Sequence, residues 1–328
     1  MNDLKTEVDT FLTYLKSAST AQKYLANCYH KLGLADAEAK SYQNSYRFLY
    51  YLEHGQTFYA TANQAATTTQ PILSFYGMVH LIKACLMTVR PDYPENTTML
   101  AHGVSTRKRK KQQYSFLQDE VKVQQKGLYP YFANHLFHIK QLDYDKVDMN
   151  RLLATIPEMN KLFRLHREKD MVLKVGNLHD KSLYFPEQLL DEHHATENYF
   201  INKLQHYLPN VCKAEKQAQS IAVELALPLS PCCNGPCVFH LDESSFYFPK
   251  QKHYISTNNE IMNHYLLLYN LSMISRYETE WWGDLLHTMP NEDYPFIQKF
   301  LAITNDKIPR LLGYFMYEKA KGTNDLVT

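Results

Sequence analysis

Two polar residues stand where apolar side chains are expected. His80 and Lys83 lie in Gln70–Met87, QPILSFYGMVHLIKACLM, a stretch otherwise almost wholly apolar or small. Three positions apart, they project from adjoining places on one helix face. An unpaired charge on a buried helix is costly, so Lys83 needs an anionic partner or a route to solvent. His102 comes later, in a loop that can fold back over this helix, and the three could converge on an anion. The plainer alternative is a lysine that snorkels out and a histidine hydrogen-bonded in the core. Just beyond, Arg107, Lys108, Arg109, Lys110 and Lys111 form five cations in succession. Such a run suits the phosphates of a nucleotide or RNA, or an acidic patch on a protein. A solvated loop is its alternative.

Other clusters point less directly at chemistry. Arg276 with Trp281 and Trp282 gathers both tryptophans of the chain and fits either a partner-binding anchor or helix packing. Cys232, Cys233 and Cys237 precede His240 but lack the second ligand pair of a structural zinc site, so a turn with free thiols is expected. His193 and His194 are adjacent, and neighbours on a helix diverge by about 100° rather than facing one site. No Gly-x-Gly-x-x-Gly, Gly-x4-Gly-Lys or Gly-x-Ser-x-Gly motif is present, which removes the common NTPase and hydrolase readings. No metal or cofactor is expected.

These residues must be positioned by a core that the chain is large enough to build. It has 328 residues, 45% of them hydrophobic and 21% charged. Its 35 Lys and Arg nearly cancel 34 Asp and Glu, so no global field attracts nucleic acid or lipid and any anion binding must be local. The 25 tyrosines supply amphipathic rings for interior polar networks or interfaces. The opening residues are polar and acidic, unlike a signal peptide, and no run is a convincing membrane span, so a cytoplasmic protein is expected.

Helical spacing covers residues 7–32, with Gly33 at the end, and a third helix runs from Asp36 to Glu53 with Gly55 near its end. Pro71 suits the first turn of the central helix, and Pro91 and Pro94 prevent its continuation. Residues 120–124 read as a short strand, and 130–165 return to helical spacing with a break before Pro157. Strand texture appears at 171–175, 182–185, 221–225, 238–241 and 245–248, with one helix at 187–206. The end is helical again, from 259 to 274, 293 to 304 and 308 to 320. The expected fold is α+β and predominantly α-helical. Helices from both chain ends, residues 1–165 and 256–328, would form a bundle around a small, mainly antiparallel β-containing insertion at 166–255.

Three segments carry a resemblance: Phe75–Leu86, Ala101–Lys111, and Leu271–Trp282 with its Ser-Arg-Tyr-Glu-Thr-Glu-Trp-Trp ending. Over nearly the whole chain the sequence resembles the YaaC-like proteins of Bacillus and its relatives. That resemblance implies a gene neighbourhood shared with IMP dehydrogenase, and so a purine-pathway protein as a partner. More weakly, the front half resembles the HEPN superfamily of helical nucleotide-binding and RNase domains, whose RNases use an Arg-x4-6-His motif commonly completed across a dimer. Arg47 and His54 match that spacing and share one helix face, two turns apart at about 3.6 residues per turn, but Phe48 replaces the polar residue usual after the Arg. In an RNase, histidine would accept the 2′-hydroxyl proton and arginine would face the developing phosphate charge. The alternative is a histidine near a helix C-terminus and a surface cation.

The expectation for function is a cytoplasmic binding or regulatory protein acting through protein–protein contact on a purine-nucleotide enzyme such as IMP dehydrogenase. Its anion or partner site would comprise His80, Lys83, His102 and residues Arg107 to Lys111. The runner-up is a metal-independent ribonuclease using Arg47 and His54. Nucleotide or RNA is a possible ligand and a homo-oligomer a possible state, while catalysis is the weaker expectation.

Overall fold

The computed structural model describes residues 3–106 and 114–321. The chain divides into two compact units, residues 147–263 and residues 2–146 with 264–328. The boundaries expected at 165/166 and 255/256 therefore move to 146/147 and 263/264. Asn160 supplies a local reason: its side chain accepts from Met171 N (2.7 Å) and donates to Val172 O (3.3 Å), tying a helical segment to the strand beyond it.

The helical unit opens with α1 (Asp3–Tyr14), α2 (Ala18–Lys31), α3 (Ala37–Ala62) and α4 (Gln70–Val89). Ser17 caps α2 by accepting from Thr20 N, and Gly33, at φ +76, turns the chain after it. Gly55 lies within α3 and does not end it; the helical spacing resumes through Phe58 and Tyr59, which is the alternative the sequence left open, and the helix runs on to Ala62. The role of Gly55 is close approach. A Cβ there would meet Leu81 Cγ and Cδ2 at 2.6 Å and Gly77 O at 3.2 Å, and a Cβ on Gly77 would meet the Tyr59 ring at 2.9 Å. The two glycines thus let α3 and α4 pack nearly backbone to backbone.

Helix α4 is long and apolar enough to cross a bilayer by composition, yet 67% of its most apolar window is buried. Its partners in the unit include α12 (Asp293–Ala320), where Ser74 Oγ donates to Asn305 Oδ1 (2.6 Å). The last helix is continuous through Pro309, not split into the two segments expected, because Ile308, Leu311 and Leu312 bury its centre. Between α4 and the insertion lie an antiparallel pair, β1 (Val104–Thr106) and β2 (Glu120–Val123), and α5 (Leu128–Phe137). Helices α10 (Glu260–Tyr277) and α11 (Thr279–Thr288) precede α12.

The other unit contains β3 (Lys146–Asp148) in part, α6 (Met149–Ala154), α7 (Asn160–Arg167) and two antiparallel three-stranded sheets. One has the order β4 (Val172–Asn177), β9 (Ser245–Pro249), β8 (Val238–His240). The other runs β5 (Ser182–Pro186), β7 (Ser220–Leu225), β6 (Val211–Gln217). Strand β6 escapes sequence reading because it is an edge whose charged Lys213, Glu215 and Lys216 hide the alternation. The single helix expected at 187–206 is two, α8 (Gln188–Glu192) and α9 (Glu197–Tyr207). The break comes where His193 turns inward, its Nε2 within 3.2 Å of Pro249 O and its ring stacked on Phe248, while His194 takes φ 49. The protein is thus α+β and mostly helical, with small antiparallel sheets.

Candidate functional site

The close packing of α3 on α4 decides which side chains meet. On α3, Tyr51, His54 and Phe58 recur at helical spacing, and on α4 Tyr76, His80 and Lys83 do the same. With no Cβ at Gly55 or Gly77, the two rows come into ring contact. His80 stacks on Phe58 (5.6 Å between centroids, 10° between planes), meets the edge of His54 at 5.3 Å and lies 5.9 Å from Tyr51. Phe58 continues to Tyr76 at 6.3 Å, and Tyr76 to His102 at 6.2 Å.

His102 is brought there by its backbone. Its carbonyl accepts from Tyr129 N (3.1 Å) and from the Tyr265 hydroxyl (3.0 Å), while Leu128 N donates to Ala101 O (2.7 Å). The first turn of α5 and the side of α10 therefore clamp this loop. Gly103 (φ +76) and Gly127 (φ +122) permit the clamp, since a Cβ on Gly127 would fall 2.5 Å from Gly103 Cα. The loop folds over α4 as the sequence allows, and the His102 ring rests against Phe75 (4.9 Å) and Tyr269 (5.7 Å).

The result is a half-buried aromatic floor of Tyr51, His80, Phe58, Tyr76 and His102 with a cation at each end. Lys83 Nζ lies 5.6 Å from the Tyr51 ring centre, and the Arg276 guanidinium 5.9 Å from that of Tyr76. Arg276 is fixed by donating to Ser272 O (2.9 Å) and to the Tyr76 hydroxyl (3.4 Å). Among the described residues, none of His80, Lys83, His102 or Arg276 is paired with a carboxylate.

The electrostatics reflect that composition. Burial, then the charge of Lys83 and then His54, push the His80 imidazole down to about 4. Burial lowers Lys83 as well. His102 is lowered by burial first, then by Arg276 and by Lys83. Among the described residues, the Nδ1 atoms of both histidines are buried without a hydrogen-bond partner. A proton on either would be an unsatisfied buried donor, so the neutral tautomer with the proton on Nε2 is favoured. Both rings thus offer Nε2–H to a ligand, beside a lysine whose burial has no compensating anion.

Other expected residues fall elsewhere. Arg47 lies on the same side of α3 as His54, two turns away, and donates to Asn44 Oδ1 (2.7 Å). Among the described residues no hydrogen bond joins Arg47 to His54, whose ring meets that of His80. Trp282 is only 1% exposed, with Nε1 donating to Thr68 O (3.1 Å), so it is a packing residue and not a partner anchor. Trp281 is half-buried and edges onto Tyr114 at 4.6 Å. Residues Arg107 to Lys111 lie outside the described residues. Among the described residues, no group of three or more His, Cys, Asp or Glu is placed to hold a metal. Cys233 Sγ lies 3.5 Å from Cys237 O, and Cys237 is buried.

Sequence reasoning singled out His80, Lys83 and His102 but did not place Tyr51, Phe58 and Tyr76 beside them, and it grouped Arg276 with Trp281 and Trp282 instead. Aromatics at helical spacing are the ordinary signal of a core. The glycine in each of α3 and α4 was the clue available to close approach.

A protein-family model described as YaaC-like Protein matches residues 13–316. No curated protein and no solved structure matches the chain.

Proposed function

The chain belongs to the YaaC-like protein family, and for it we propose a binding and regulatory role centred on an anionic ligand held at His80, Lys83 and His102. One observation carries this reading. Among the described residues, four basic side chains line a half-buried aromatic floor with no carboxylate paired to them, and two imidazole Nδ1 atoms are buried without partners. Such an arrangement costs stability when empty and recovers it when an anion enters, because a desolvated lysine gains its counter-charge. Ligand occupancy would then bias the contact with a protein partner. The gene neighbourhood implied by the family resemblance makes IMP dehydrogenase the first partner to try.

Titration calorimetry with inorganic pyrophosphate tests the site. Wild-type protein should bind, and Lys83→Met should weaken binding at least tenfold while the helical circular dichroism is retained. Equal affinity in the two proteins sinks the reading.

A second reading, metal-independent RNA cleavage, is favoured by the edge contact of His54 with His80 at 5.3 Å, which places two imidazoles beside a lysine. Cleavage of a generic RNA that disappears in His54→Ala would move the protein to that class.

A further inference from the structure

An inorganic anion explains the cations of the site but not the rings between them. Five half-buried rings run in sequence from Tyr51 through His80, Phe58 and Tyr76 to His102, with neighbouring centroids 5.6–6.3 Å apart. Lysine and histidine donors alone would satisfy phosphate. Rings left partly open to water gain most when a flat, apolar face covers them.

We infer that the ligand is a nucleoside 5′-phosphate: a planar heterocycle lying on the Phe58–Tyr76 part of the floor, with its phosphate at Lys83 and the His80 Nε2. This inference rests on the anion-binding reading above. The two ends of the floor differ in a way that orients the ligand. Arg276 is already committed, through Nε to Ser272 O, Nη1 to the Tyr76 hydroxyl and Nη2 to Met273 Sδ (3.2 Å), and its planar group lies near both Tyr76 and Tyr277. It extends the surface available to a ring. Among the described residues Lys83 has no hydrogen-bonded partner, and burial lowers it, so the dianionic group gains more at that end. The neutral His80 donates without adding a charge to be desolvated. His102, at the Tyr76 end, offers a donor to the edge of the base.

Stacking of a base on aromatic side chains is worth about ten- to hundredfold in affinity. The experiment is competition calorimetry on the full chain with inorganic phosphate, pyrophosphate, the four common nucleoside 5′-monophosphates, one unphosphorylated nucleoside and an eight-residue single-stranded RNA. At least one monophosphate should bind ten- to hundredfold tighter than inorganic phosphate and tighter than the RNA. In Phe58→Leu that advantage over inorganic phosphate should fall to near one, and in Lys83→Met binding of both phosphate and monophosphate should be lost. Upfield ring-current shifts of the base protons on binding provide the same test on wild-type protein if Phe58→Leu does not fold. Monophosphates that bind no better than phosphate overturn the inference and leave the anion reading standing. Failure of phosphate, pyrophosphate and monophosphates alike overturns both. Tighter binding of the RNA overturns the mononucleotide in favour of a polymer.

Discussion

Gly55→Ala should destabilise the helical unit although alanine is the better helix former. In an open helix interior the change gains about 1 kcal/mol. At Gly55 the new Cβ meets Leu81 Cγ and Cδ2 at 2.6 Å and the Gly77 carbonyl at 3.2 Å, and neither the branch point of a buried leucine nor a helix backbone can swing away. Overpacking of this kind costs about 1–3 kcal/mol, and with three atoms this close the upper end applies. The net is a loss of about 1–2 kcal/mol. At about 2–4 °C per kcal/mol for a unit of this size, thermal unfolding followed by circular dichroism should fall by about 2–8 °C. Gly283→Ala is the internal control, since Gly283 lies in α11 with nothing within 4 Å of an added Cβ. It should leave the midpoint unchanged or raise it. If both variants stabilise equally, α3 and α4 are not in the close contact on which the aromatic floor depends. The same displacement should part His54 from His80, so pyrophosphate affinity should drop in Gly55→Ala and hold in Gly283→Ala.

Two further outcomes are expected. His80 is held at about 4, below the ordinary 6.5, so the unfolded chain takes its proton first. Its contribution to stability is complete above pH 6.5 and is lost as pH falls toward 4. An NMR titration of the ring should find the midpoint near 4, moving upward in Lys83→Met and on anion binding, and a midpoint near 6.5 refutes the buried, cation-flanked environment. Asp293 is 1% exposed and accepts from Phe116 N (2.8 Å), Leu117 N (3.1 Å) and Ser115 Oγ (3.1 Å), fastening the segment just beyond the basic run. Asp293→Ala leaves those buried donors unmatched and should cost about 1–3 kcal/mol of stability, read in denaturant melts. An unchanged midpoint would show the segment to be held by other contacts.

Much of the architecture was legible in residue order. The apolar periodicity of Gln70–Val89, Pro71 at its start and the strand texture from 171 to 248 depend on local chemistry, and they announce a helical protein with small antiparallel sheets. His80 and Lys83 stood out for the same reason, as polar residues on an apolar helix. Helix ends were less legible, because Gly55 and Pro309 carry the same letters whether they stop a helix or sit within one. Only the packing around Leu81 and Ile308 distinguishes those cases. The site itself is a property of tertiary structure. Tyr51, Phe58 and Arg276 are remote from His102 in the chain, and their convergence depends on how closely α3 approaches α4 and on the clamp that α5 and α10 place on the His102 carbonyl. The unmatched burial of Lys83 and of the two Nδ1 atoms arises only once those elements have met, since desolvation and missing partners are relations between segments and not attributes of any one of them.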